Sequence, residues 1–147
     1  MQAMPSSTDL ENNLSTQLVE KRSGWIWVGR VLSALVILFL LFDAIGKIAM
    51  PAPVMDAFIR LGISPRLSST IAILLLTSTV LYAIPWTAVI GAVLLTGYLG
   101  GAIAIHLRSG SSLFETVFPA LLGAVIWAGL LLRENRLREL FPIRLNY

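Results

Sequence analysis

Residues 87–105 read TAVIGAVLLTGYLGGAIAI, and the chain then turns polar at His106, Arg108, Ser109 and Gly110. At about 1.5 Å rise per residue, a helix over this stretch extends about 28 Å, close to the roughly 30 Å hydrocarbon core of a bilayer. The stretch is therefore read as a membrane span. Gly97 and Gly101 stand four residues apart, with Gly100 beside them, and small residues at that spacing predict close contact with a neighbouring helix.

The same reading extends to both sides. Further apolar stretches cover about residues 25–46, 67–84 and 113–132, so the expected fold is all-α: an integral membrane bundle of four helices. Pro51 and Pro53 forbid simple continuation of the first span. After them Val54, Ala57, Phe58 and Leu61 fall on one side at helical spacing, which predicts a short interfacial helix between spans 1 and 2. Gly62 ends it, and Ser64-Pro65 signals the next helix, with Ser at the N-cap and Pro at the first helical position. Pro85 and Trp86 leave room only for a tight antiparallel hairpin between spans 2 and 3. Ser112 and Glu115 have the spacing of a capping box at the start of span 4. The first apolar run is longer than the core of a cleaved signal sequence. Residues 1–24 lack a sustained apolar face and are expected to form a flexible cytoplasmic tail. Residues 133–147 alternate Arg133, Arg136 and Arg138 with Leu137, Leu140 and Phe141, as an amphipathic cytoplasmic tail resting on the membrane would.

Composition agrees with a membrane chain: 56% of the 147 residues are hydrophobic and only 13% charged, against roughly 25% charged in a soluble domain. The net charge of +3 comes from Lys and Arg at the ends of apolar segments, a topology signal rather than a nucleic-acid footprint. Four spans put both termini on one side, together with Lys21, Arg22, Arg30, Arg133, Arg136, Arg138 and Arg144. Lys47, Arg60, Arg66 and Arg108 fall on the other, so the termini are expected in the cytoplasm. Trp25, Trp27, Tyr82, Trp86 and Trp127 then fall toward the cytoplasmic half, as an aromatic belt. Cysteine is absent, which excludes disulfides, thiol redox chemistry and cysteine metal sites.

Antiparallel packing brings the end of span 1, the end of span 3 and the start of span 4 to one mouth of the bundle. Asp43, Lys47, His106, Arg108 and Glu115 gather there, with Tyr98 about two turns before His106. Ionisable groups inside spans are costly and mark candidate ligand sites. Each also has a local explanation. Asp43 and Lys47 are i, i+4 neighbours on one helix, although Arg108 across the bundle competes for Asp43. Glu115 serves as a cap, Arg108 as a headgroup anchor, and Tyr98 as a packing residue bonded to span 2. His106 is the single histidine, which excludes a multi-histidine metal site or bis-histidine haem within one chain. No catalytic residue is assigned, since the chain has no nucleophile elbow, phosphate loop or dinucleotide fingerprint.

The string LTGYLGGAIAIHLRSG at residues 95–110 resembles the most recognisable motif of the DoxX-like family of small four-helix membrane proteins. The resemblance extends to Gly46-Lys47, the Ile84-Pro85 hairpin and the stretch from Leu130 to Arg138 that leads into Leu140-Phe141-Pro142, and covers about residues 25–144. It implies a bundle in the bacterial cytoplasmic membrane, with some relatives tied to thiosulfate or quinone-linked oxidoreductase systems and some to oxidative-stress complexes. Many relatives carry a Glu inside span 2 where this chain has Leu75. The expected role is an accessory subunit of a membrane redox or stress-response system, in contact with the lipid bilayer and with partner subunits or further copies of itself. Quinone is the expected cofactor, non-covalently bound at the polar mouth. A small lipid- or small-molecule-handling protein, such as a transporter or lipid chaperone, and a purely structural subunit remain open as alternatives.

Overall fold

A computed structural model describes the backbone of residues 7–134 and Leu137, with side chains from Gly24 onward. Helix α1 covers Ser7–Ala49, α2 Ala52–Arg60, α3 Ser68–Ala83 after a 3-10 turn at Pro65–Leu67, α4 Ala88–Arg108 and α5 Leu113–Arg133. No strand occurs among the described residues. Four stretches are long and apolar enough to cross a membrane: Gly24–Ala49, Pro65–Ala83, Ala88–Arg108 and Leu113–Arg133. They match the expected spans to within a few residues. The chain is an all-α, multi-pass membrane bundle.

Side-chain distribution explains why lipid rather than water surrounds it. Leu35, Leu38, Phe42, Ile45, Ile73, Ile90, Val93 and Leu121 are all exposed. Only 22–33% of each span's apolar window is buried inside the chain, and so much outward-facing apolar surface is stable only in hydrocarbon. The interior is a narrow seam at helical spacing. Val36, Leu40 and Ala44 come from α1, Ala72, Leu75 and Tyr82 from α3, Ala88, Ala92, Leu95 and Leu99 from α4, and Ile126 and Leu130 from α5. Helix α1 packs on α3 and α5, and α4 packs on the same two helices, so α1 and α4 stand diagonally across the seam.

Helix ends are set locally. Helix α1 stops at Ala49, where Met50 takes a left-handed conformation with φ 47° ahead of Pro51. Helix α2 closes with a Schellman turn, in which Ile63 N–H donates to the Phe58 carbonyl and Gly62 N–H to that of Ile59. Helix α4 repeats it, with Ser111 N–H donating to His106 and Gly110 N–H to Leu107. The pivots Gly62 and Gly110 have φ 68° and 67°, where a side chain would be strained. The capping box forms as expected: Ser112 Oγ accepts from Glu115 N–H and Glu115 Oε2 accepts from Ser112 N–H. Ser64 is followed by Pro65 at the first helical position, but its side chain makes no capping bond. In the span interiors Ser78, Thr79 and Thr96 each donate to the carbonyl four residues back, which satisfies their hydroxyls in an apolar setting.

Two expectations are corrected. Helix α1 begins at Ser7, so residues 7–24 continue its helix instead of forming a separate tail. No Gly or Pro interrupts residues 7–23, and Leu14, Gln17, Leu18, Glu20, Lys21 and Arg22 are good helix formers, so the backbone continues without an apolar face. The second correction concerns the glycines. A Cβ built on Gly97, Gly100 or Gly101 meets nothing within 4 Å; all three face out of the bundle and do not pack within the chain. The close approaches are made elsewhere. A Cβ on Gly91 would lie 2.2 Å from Tyr82 N, one on Gly29 2.7 Å from Arg133 N, and one on Gly129 2.8 Å from Ser33 Oγ. The residues expected to form the amphipathic tail lie outside the described residues, apart from Arg133, Glu134 and the buried Leu137.

Candidate functional site

The end of the bundle that carries α2 gathers the charged and polar residues singled out in the sequence, but as three groups rather than one. The innermost is on α1. Lys47 Nζ donates to Asp43 Oδ1 at 2.5 Å, one helical turn apart, with side chains 16% and 36% exposed respectively. The local pairing therefore holds Asp43, and the competing Arg108 pairing does not form. Lys47 is also tied through its backbone: its carbonyl accepts from Ser68 Oγ at the start of α3. Across the seam on α4, the Tyr98 hydroxyl lies within electrostatic reach of the Asp43 carboxylate. That hydroxyl makes no hydrogen bond among the described residues, so the expected bond from Tyr98 to span 2 is absent.

The second group joins α2 to the rest. Arg60 Nη2 donates to Glu115 Oε1 at 3.0 Å, linking α2 to α5. Arg108 Nη2 donates to the Leu61 carbonyl at 3.2 Å, linking α4 to the end of α2. Phe58 is the buried residue of α2. Glu115 thus serves both as cap and as ion-pair partner, and Arg108 braces a turn instead of meeting Asp43. The third group is the α4–α5 loop, where His106 Nδ1 and Ser111 Oγ are 3.1 Å apart and Ser109 Oγ lies 2.8 Å from Ser111 Oγ. His106 also lies within electrostatic reach of Glu115. No three potential metal-ligating side chains come together among the described residues.

The opposite end holds a polar network around Tyr82, a residue expected in an aromatic belt. Tyr82 is fully buried. Its hydroxyl donates to the Ile126 carbonyl at 2.9 Å and lies 3.1 Å from Ser33 Oγ. The Arg133 guanidinium sits 4.8 Å over the Tyr82 ring and donates to the Tyr82 carbonyl at 2.7 Å. One residue of α3 is thereby fastened to α1 and α5, while Gly91 of α4 presses on its backbone. Every buried polar side-chain atom among the described residues is satisfied, which makes this network a structural joint. A signal was present in the sequence: Ser33 and Gly129 are small residues inside spans, and Arg133 stands where span 4 ends. Their partner could not be read without the helix rotations. Leu75, where many relatives are expected to carry Glu, is fully buried in the seam, so no carboxylate stands at that position.

No curated protein and no solved structure matches the chain. A family model, that of the DoxX-like family, matches residues 31–129, from the middle of α1 to the last turns of α5. This range takes in the second and third spans whole, most of the first and fourth, α2, and each of the three polar groups. With well over half of its length under that match and four helices able to cross a bilayer, the chain belongs to the DoxX-like family.

Proposed function

We propose that this chain is a non-catalytic accessory subunit of a membrane redox or stress-response system and that its α2-end mouth receives a lipid-soluble quinone. The observation that carries the reading is the Tyr98 hydroxyl, which lies within electrostatic reach of Asp43 in the half-buried Asp43–Lys47 pair and has no hydrogen-bond partner among the described residues. A quinone carbonyl is an acceptor that needs such a donor, and its tail suits an apolar seam. Lys47 adds a second donor, since its ammonium carries three N–H groups and Asp43 engages one. The chain supplies binding and orientation, and electrons would come from a partner subunit. The excess of Lys and Arg at the Arg133 end supports placing that end in the cytoplasm of a bacterial cell and the mouth on the far face of the cytoplasmic membrane.

Titration calorimetry of the purified full chain with a short-tailed ubiquinone analogue tests the reading. One molecule should bind per chain, and Tyr98→Phe should weaken binding about three- to tenfold, the worth of one hydrogen bond. Equal affinity in the parent and Tyr98→Phe, or no binding heat, would remove the proposed site.

A further inference from the structure

A cavity of about 440 Å³ opens between the turn after α2 and the adjoining ends of α3 and α4. That volume lies in the range of small-molecule sites. Its walls include Leu67, Ile71, Ala104 and Ile105, with Ser64 and Arg108 as the polar side chains. Arg108 is held in place by the Leu61 carbonyl. A guanidinium carries five N–H donors, so that bond leaves most of them available. The Ser64 hydroxyl makes no capping bond, and Arg66 is exposed two residues away. Neither Arg66 nor Arg108 has a carboxylate partner among the described residues. The rim is therefore a fixed positive charge over an apolar floor, at the depth where a transmembrane helix meets headgroups.

The glycines of α4 extend this floor. Gly97, Gly101, Ala104 and Arg108 follow one another at i, i+4, i+7 and i+11, which places them on one helical face. Gly97 and Gly101 are exposed, with open space where a Cβ would stand. A shallow track without side chains thus runs from below the Arg108 guanidinium toward the middle of the span. We infer that this face binds one phospholipid of net negative headgroup charge, its phosphate on Arg108 and Ser64 and an acyl chain along Ala104, Gly101 and Gly97. Charge complementarity selects the occupant: a zwitterionic headgroup would place its own cation beside Arg66 and Arg108, whereas a phosphatidylglycerol headgroup brings only the anion. The inference does not rest on the quinone reading, since the cavity is lined by α3, α4 and the turn before α3, and none of Asp43, Lys47 or Tyr98 lines it.

Native mass spectrometry of the delipidated full chain in detergent tests this, with phosphatidylglycerol, phosphatidylcholine of the same acyl chains, and inorganic phosphate as separate probes. The parent should retain one phosphatidylglycerol with about tenfold preference over phosphatidylcholine, since both lipids offer the phosphate and only phosphatidylcholine sets a cation against two guanidinium groups, and should retain no phosphate. Arg108→Gln should remove most of the preference, and Gly101→Leu should weaken both lipids by blocking the track. Arg66→Gln, at an exposed site with no fold-bearing contact, should reduce the preference partially and decides the matter if Arg108→Gln does not fold. Undiminished preference in Arg108→Gln or in Arg66→Gln, unchanged lipid binding in Gly101→Leu, or stable binding of phosphate alone would overturn the inference.

Discussion

Replacing Gly91 by Ala adds one methyl group at the closest glycine-to-backbone approach among the described residues. The new Cβ would stand 2.2 Å from Tyr82 N, 2.5 Å from Tyr82 Cα and 2.7 Å from Leu81 C. All three are backbone atoms, so no rotamer change relieves the overlap, and reaching an ordinary contact of about 3.4 Å requires α3 and α4 to separate by about 1.2 Å. Such separation disturbs the Tyr82 hydroxyl at Ile126 and Ser33 as well. Overpacking costs about 1–3 kcal/mol, and an unyielding backbone clash puts this case near 3. Ala is about 1 kcal/mol better than Gly inside a helix, which leaves a net loss of about 2 kcal/mol. For a chain of this size that is a melting-temperature drop of about 4–8 °C. Melting followed by tryptophan fluorescence in one detergent, with Gly97→Ala as control, reads the effect. Gly97→Ala should melt with the parent or slightly above it, because its Cβ meets open space. Equal melting of Gly91→Ala and the parent, or an equal drop in Gly97→Ala, would refute the assignment of which glycines close the bundle.

Tyr82→Phe should lower stability by about 1–3 kcal/mol, because it strips a partner from the buried Ile126 carbonyl and the Ser33 hydroxyl; a parallel melt checks it, and adding Ser33→Ala should cost less than it does alone. In a double-mutant cycle, Asp43→Asn and Lys47→Met should couple by about 0.5–3 kcal/mol, while Asp43→Asn and Arg108→Gln should add; coupling in the second cycle instead of the first would contradict the observed pairing. Ser112→Ala should cost about 1 kcal/mol through loss of the α5 cap, measured by the same melts, and should leave quinone binding unchanged.

Element existence was legible because it rests on length, hydropathy and punctuation. The 19-residue run at 87–105, the prolines at 51, 53 and 85, and the Ser112/Glu115 box each determine a local outcome without knowledge of the neighbours. Rotation about each helix axis was not legible. Span 3 is apolar nearly all round, so nothing in its pattern says which side faces the seam, and the outward Gly97 and Gly101 look the same in sequence as the inward Gly91. The same ambiguity hid Tyr82, which sits near a span end like a belt aromatic but points inward. At the mouth, chain order gathers Asp43, Lys47, His106, Arg108 and Glu115 into one cluster, whereas the structure divides them among three groups. Chain order could not say that α2 would fold back to engage Arg108 and Glu115, because that depends on the Schellman turn at Gly62 and on Arg60 reaching α5. The start of α1 at Ser7 was missed for a different reason: helix propensity alone continues the backbone where amphipathic pattern gives no cue.

Quinone binding at the α2-end mouth would use Tyr98 and Lys47 as donors. Its most direct test is native mass spectrometry of the chain purified gently from the membrane in which it is made, comparing the parent with Tyr98→Phe. A quinone-mass adduct is expected on the parent and depleted in Tyr98→Phe, while any phospholipid adduct is unchanged between the two. A parent chain that carries no quinone, or a quinone adduct equally abundant in Tyr98→Phe, would contradict it.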